Sequence, residues 1–121
     1  MSIEKISIND TVIAHVSADG VIIEDAQSAL DLMMTAKYET GAYAIALPKD
    51  LIAESFFILS SGVAGEILQK FINYGFRVAI YGDFSKYTSK PLKDFIYESN
   101  NGKDVFFTED LQSAVEKLAR G

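Results

Sequence analysis

Apolar residues change their spacing several times along the chain, and each change marks an element. Ile6 and Ile8 alternate with polar neighbours, which predicts a strand over 3–8. Asn9-Asp10 tolerates positive φ and predicts a tight two-residue turn. Val12, Ala14 and Val16 alternate again, predicting a second strand over 11–17. Ala26, Ala29, Leu30 and Met33 then repeat at helical spacing, predicting a helix over 25–38 with Asp25 as N-cap and Gly41 as stop. The unbroken apolar run from Ala42 to Leu47 suits a strand covered on both faces.

Residues 50–59 show no clean period, although Phe56 and Phe57 suit a short buried turn. Ala64, Ile67, Leu68 and Phe71 form the stripe of a helix over 60–73, with Glu66 and Lys70 spaced for an ion pair on its outer side. Arg77 to Tyr81 reads as a buried strand, and Pro91 opens a helix with Leu92, Phe95 and Ile96 facing inward. Val105 to Phe107 is the last strand, and Thr108 is the expected N-cap of a final helix carrying Leu111, Ala114, Val115 and Leu118. Strands alternating with helices imply parallel pairing through right-handed crossovers. The expectation is an α/β fold: a mixed sheet of about five strands, opened by a hairpin, with four helices.

Composition narrows the classes. The length of 121 residues fits one domain. No linker, low-complexity tract or internal repeat interrupts it. The chain has no cysteine and one histidine, His15, which removes thiolate chemistry and the usual zinc ligand sets. No metal or cofactor is expected. The opening segment lacks the features of a secretory signal, and no stretch approaches the roughly 20 apolar residues of a membrane span. A cytoplasmic location is the expectation. The net charge of −6 disfavours nucleic acid as a partner.

The run Leu59-Ser60-Ser61-Gly62-Val63-Ala64-Gly65 stands at the start of the predicted 60–73 helix. Together with Phe76 to Gly82, Val105-Phe106-Phe107 and Asp110 to Ala114, it resembles the STAS domain, the fold of anti-sigma-factor antagonists and of sulfate-transporter tails. That resemblance implies phosphorylation at the first serine of the turn, here Ser60, with Ser61 beside it. Leu59 stands where the family's motif has Asp. A second resemblance covers nearly the whole chain. Ala64 to Phe71, Gly82 to Lys90 and Leu92 to Asn100 are similar to a bacterial family known as domain of unknown function 4180, which implies no activity.

Two candidate sites follow. Ser60 and Ser61 at a helix start suit a phosphate, because unpaired N–H groups and the helix dipole favour negative charge there; the same residues also suit plain N-capping. The 82–90 loop follows a buried strand, where open α/β sheets place ligands. Asp83, Ser85, Lys86, Tyr87, Thr88, Ser89 and Lys90 are its anion- or partner-binding candidates, set against the reading of a solvated connector. It lacks the second glycine and the Gly-Lys-Ser ending of a P-loop. Asp83 does not sit in a receiver-type acidic site, because Asn9-Asp10 belongs to a hairpin. His15 falls on the face opposite Val12, Ala14 and Val16 and has no partner identifiable from sequence. Glu66, Asp94 and Glu98 have the spacing of outer-face charges. No catalytic residue is assigned. The expectation is a non-enzymatic module that binds a protein partner in a regulatory role, with a homo-oligomer as a second option. The alternative is a small-anion or nucleotide-binding protein using the 82–90 loop.

Overall fold

Asn9 and Asp10 adopt φ of 51° and 66°, the left-handed pair that a two-residue hairpin turn requires. They join β1 (Ser2–Ile8) to β2 (Thr11–Ser17) in antiparallel register, Ile8 opposite Thr11 and Ser2 opposite Ser17. The computed structural model describes residues 1–120. After the hairpin come α1 (Ala26–Thr40), β3 (Ala44–Pro48), α2 (Val63–Asn73), β4 (Arg77–Tyr81), α3 (Lys90–Asn100), β5 (Val105–Thr108) and α4 (Leu111–Ala119). The fold is therefore the expected mixed α/β arrangement of five strands and four helices.

The strands lie in the order β1-β2-β3-β4-β5, and β2 to β5 are parallel. Each right-handed crossover steps the same way across the sheet, so α1, α2 and α3 fall on one face. That face carries the larger core, with Val16, Ile45, Leu47, Val78, Ile80 and Phe107 from the strands. Among the described residues no strand follows α4, and it packs on the opposite face. Ala44, Ala46 and Ala79 present only methyl groups there, so the helix seats closely through Ala114, Val115 and Leu118.

Helix ends follow local chemistry. Asp25 caps α1 by accepting from Ser28 N at 2.8 Å, and Gly41 closes it at φ 78°. The final helix is capped by Asp110, which accepts from Ser113 N at 2.8 Å, rather than by Thr108, which remains in β5. Helix α2 starts at Val63, three residues later than its apolar stripe predicts, because residues 49–61 form three short 3-10 turns: Lys49–Leu51, Glu54–Phe57 and Leu59–Ser61. Lys70 lies over the Tyr74 ring at 5.9 Å, and no ion pair with Glu66 forms within 4.0 Å among the described residues. In α3 the buried anchor is Leu92, while Phe95 is half-buried and meets Phe107 edge-on at 6.0 Å.

Candidate functional site

Because β2 to β5 are parallel, the segments after β3 and β4 emerge at the same edge of the sheet. That edge holds both candidate regions. The 49–61 segment is tied down by a parallel bridge between Ile23 and Ile52 and by Ala53 N donating to Ile23 O at 2.9 Å. The 82–90 loop is tied at its base by Gly82 N donating to Thr108 O at 3.0 Å.

The turn Glu54–Phe57 connects the two regions. On one side, the Ser61 hydroxyl donates to Ser55 O at 2.7 Å and accepts from Val63 N at 3.2 Å. On the other, Glu54 accepts from Lys86 Nζ at 3.0 Å and from the Tyr87 hydroxyl at 2.9 Å. Below them the Tyr87 ring stacks on Phe57, and Phe84 packs against both Phe57 and Phe107. Thirty-odd residues of intervening chain thus return to one continuous surface.

Each serine and lysine in this surface has a defined place. Ser61 is committed to backbone partners, and the N-cap of α2 is Gly62 at φ 80°, with no side-chain cap. Ser60 is exposed on its 3-10 turn, one residue further out. Asp83 accepts from Ser85 N at 2.9 Å, shaping the start of the loop. Ser89 caps α3 by accepting from Leu92 N at 3.3 Å. Thr88 is exposed between them. Lys90 pairs with Asp94 at 2.7 Å within α3. Both cations of the loop therefore face carboxylates.

Hydrogen bonds from Lys86, and then from Tyr87, hold the Glu54 carboxyl below its ordinary range. The Lys86 ammonium is raised in turn by Glu54. Burial first, and then the Glu54 hydrogen bond, pushes the Tyr87 phenol up. All three shifts favour the charged pair with a neutral tyrosine between, so this is a closed polar cluster and not a poised acid or base.

His15 does have partners. Its Nε2 lies 2.8 Å from the Tyr81 hydroxyl and its Nδ1 lies 3.3 Å from Glu4 Oε1. The contact spans two strand spacings. It is allowed because β3 contributes only Ala46 and Pro48 between the two rings. Desolvation raises the Tyr81 phenol. The alternation of β2 marks His15 as facing away from Val16, but nothing local to residue 15 points to residue 81. Among the described residues, no three His, Cys, Asp or Glu side chains gather as a metal ion would need.

A comparison with curated proteins gave no match, and neither did one with solved structures. A family model described as Domain of unknown function (DUF4180) matches residues 8–118. That span takes in β2, the serine turn, the whole 82–90 loop and nearly all of α4, and the chain accordingly belongs to the DUF4180 family.

Proposed function

We propose that the protein is a non-enzymatic, STAS-like module that binds a protein partner through the surface formed by the 54–61 turns and the 82–90 loop. The observation that carries this reading is the joining of those two segments by hydrogen bonds among Glu54, Lys86 and Tyr87 and by the stack of Tyr87 on Phe57. A fixed surface costs less conformational entropy on binding than a mobile one. Ile58, 57% exposed beside Ser60, supplies an apolar centre within a polar rim. The succession of an opening hairpin and then alternating helices and strands supports the STAS-like assignment, as does the serine turn before α2.

Within this reading Ser60 is the modification site. Both serines are exposed, but the Ser61 hydroxyl is held by Ser55 O and Val63 N, whereas the Ser60 side chain makes no hydrogen bond to another described residue. A phosphate there would add close to two negative charges at the centre of the contact surface. The anion-binding alternative has less support, because Lys86 and Lys90 already face Glu54 and Asp94.

Site-specific crosslinking in cells tests the proposal. A photo-reactive residue replacing Ile58 should give one discrete protein adduct, and the same residue replacing Glu116 on α4 should not. Ser60→Asp should diminish that adduct. The reading is lost if the Ile58 position yields nothing, or if both positions yield the same adducts.

A further inference from the structure

The opposite end of the parallel strands carries a second feature, a strand's length from the 82–90 loop. An open cavity of about 470 Å³ lies where β4 and β5 begin and α4 ends. Arg77, Lys103, Lys117 and Arg120 line it, with Asp104 and Phe106. Four of the chain's 11 cations thus converge on one cavity in a protein of net charge −6.

The arrangement is built from the fold. Arg77 opens β4 and donates from Nε to Lys103 O at 2.9 Å, from Nη1 to Leu118 O at 2.7 Å and from Nη2 to Lys117 O at 3.4 Å. It therefore ties the loop before β5 to the last turn of α4. The acceptors are carbonyls, which orient the guanidinium but leave its charge intact. Arg77 and Lys117 both lie over the Phe106 ring, at 5.7 and 5.9 Å from its centroid.

None of the four cations has a carboxylate within 4.0 Å among the described residues, whereas Lys49, Lys86 and Lys90 each have one. Gathering like charges without counter-charges works against folding. The C-terminal end of α4 offsets some of this, but a helix end is equivalent to only roughly half a negative charge. With Asp104 and the C-terminal end of α3 at Asn100 also counted, about two of the four positive charges remain unmatched. An anionic ligand would match them.

The cavity's chemistry narrows the class. The aromatic surface is not free, since Phe106 is only 5% exposed and lies beneath two cations, so no open ring face is offered to a base. Lys103 and Arg120 are exposed at the rim and make no hydrogen bond through their side chains to other described residues, which leaves both able to reach a ligand. A volume of this size lies within the range of small-molecule sites.

We propose that this cavity binds a small polyphosphate anion, recognised through its phosphate groups. The site is independent of the protein-binding surface at the other end of the strands. The test is a titration of the whole chain with inorganic pyrophosphate at constant ionic strength, followed by amide chemical shifts and thermal unfolding. Saturable shifts should appear at Lys103, Asp104 and Lys117, with an unfolding midpoint that rises with ligand concentration. Lys103→Gln combined with Arg120→Gln should weaken the affinity at least about ten-fold, equivalent to about 1.4 kcal/mol, while the midpoint of the free protein holds or rises as the like-charge repulsion is relieved. Lys86→Gln combined with Lys90→Gln should leave the affinity unchanged. Shifts that grow without saturating, or that sodium sulfate reproduces equally, would overturn the proposal. So would a Lys103/Arg120 variant that binds as well as the parent.

Discussion

The phenol ring of Tyr87 lies on the ring of Phe57, with centroids 4.8 Å apart and planes inclined by 19°. Phe57 is buried under α2 and the loop, so its ring is the fixed member of the pair. Lys49 and Lys86 approach the Tyr87 ring at 5.7 and 5.1 Å, and Glu54 holds its hydroxyl. The polar loop is thereby anchored by an aromatic contact from beneath.

This relation separates two variants. Phe57→Ala removes the buried platform and should cost about 3–5 kcal/mol. Tyr87→Phe keeps the stack and loses only a hydroxyl at an exposed carboxylate, so its cost should fall near the low end of about 0.5–1.5 kcal/mol. Urea unfolding of both measures the difference. Equal losses would mean that the hydroxyl, not the ring, anchors the loop.

The Glu54 cluster makes a prediction about acid. Glu54 is held below its ordinary range in the folded protein, chiefly by Lys86 and then by Tyr87. Its contribution to stability is therefore complete above the unfolded-state value and declines as pH falls through the lower folded value. The pair is largely exposed, which keeps that contribution small. Carboxyl-carbon NMR should show Glu54 titrating below an ordinary glutamate, and Lys86→Gln should move its midpoint upward. A Glu54 midpoint that ignores the Lys86 substitution would contradict the assigned cause.

Gly82 has φ 150°, a conformation that side chains resist, and an added Cβ would stand 2.9 Å from Lys49 Cγ. Gly82→Ala should destabilise the protein by about 1–3 kcal/mol. The close atoms are Cγ and Cδ of a largely buried Lys49 side chain, so adding Lys49→Ala should recover the contact part of the loss and leave the backbone part. Full recovery in the double variant would show that contact, rather than backbone conformation, is the constraint. Thermal or urea unfolding decides between them.

His15 and Tyr81 should be energetically coupled. A double-mutant cycle with His15→Ala and Tyr81→Phe should return a coupling of about 0.5–1.5 kcal/mol, as for an ordinary internal hydrogen bond. A coupling indistinguishable from zero would make the 2.8 Å contact incidental.

Periodicity and punctuation made much of this fold readable. Ile45 and Leu47 on one face, with Ala44 and Ala46 on the other, form the continuous apolar run expected of a strand covered on both sides. Asp25, Gly41 and Asn9-Asp10 signal their helix cap, helix stop and hairpin through purely local chemistry. Of the 3-10 turns of 49–61 only the buried one at Phe56-Phe57 was legible, because the shape of the segment depends on distant partners such as Ile23 and Lys86. The candidate surface was legible only in outline. Ser60 and the 82–90 loop carry sequence signals, but Glu54, which joins them, lies 32 residues from Lys86 and in no motif. His15 and Tyr81 are separated by 66 residues, and only the short side chains of β3 bring them within reach. The cap at Asp110 rather than Thr108 shows a smaller ambiguity, since both residues carry suitable oxygens and β5 retains the threonine through Tyr81.

The strand order has a consequence for how the molecule comes into being. Every strand pairs with the strand next to it in the chain, and no gap in the sheet waits for a later segment. A polypeptide emerging from the ribosome can therefore lay down the hairpin first and add each βα unit to a finished edge. Only α4 breaks this rhythm, since its face includes Ile13, Ala46 and Ala79 from three successive strands. Until that last helix is released from the exit tunnel, the alanine-lined side of the growing sheet stays open to water. Ribosome-bound intermediates should accordingly be protected on the three-helix side and vulnerable on the other.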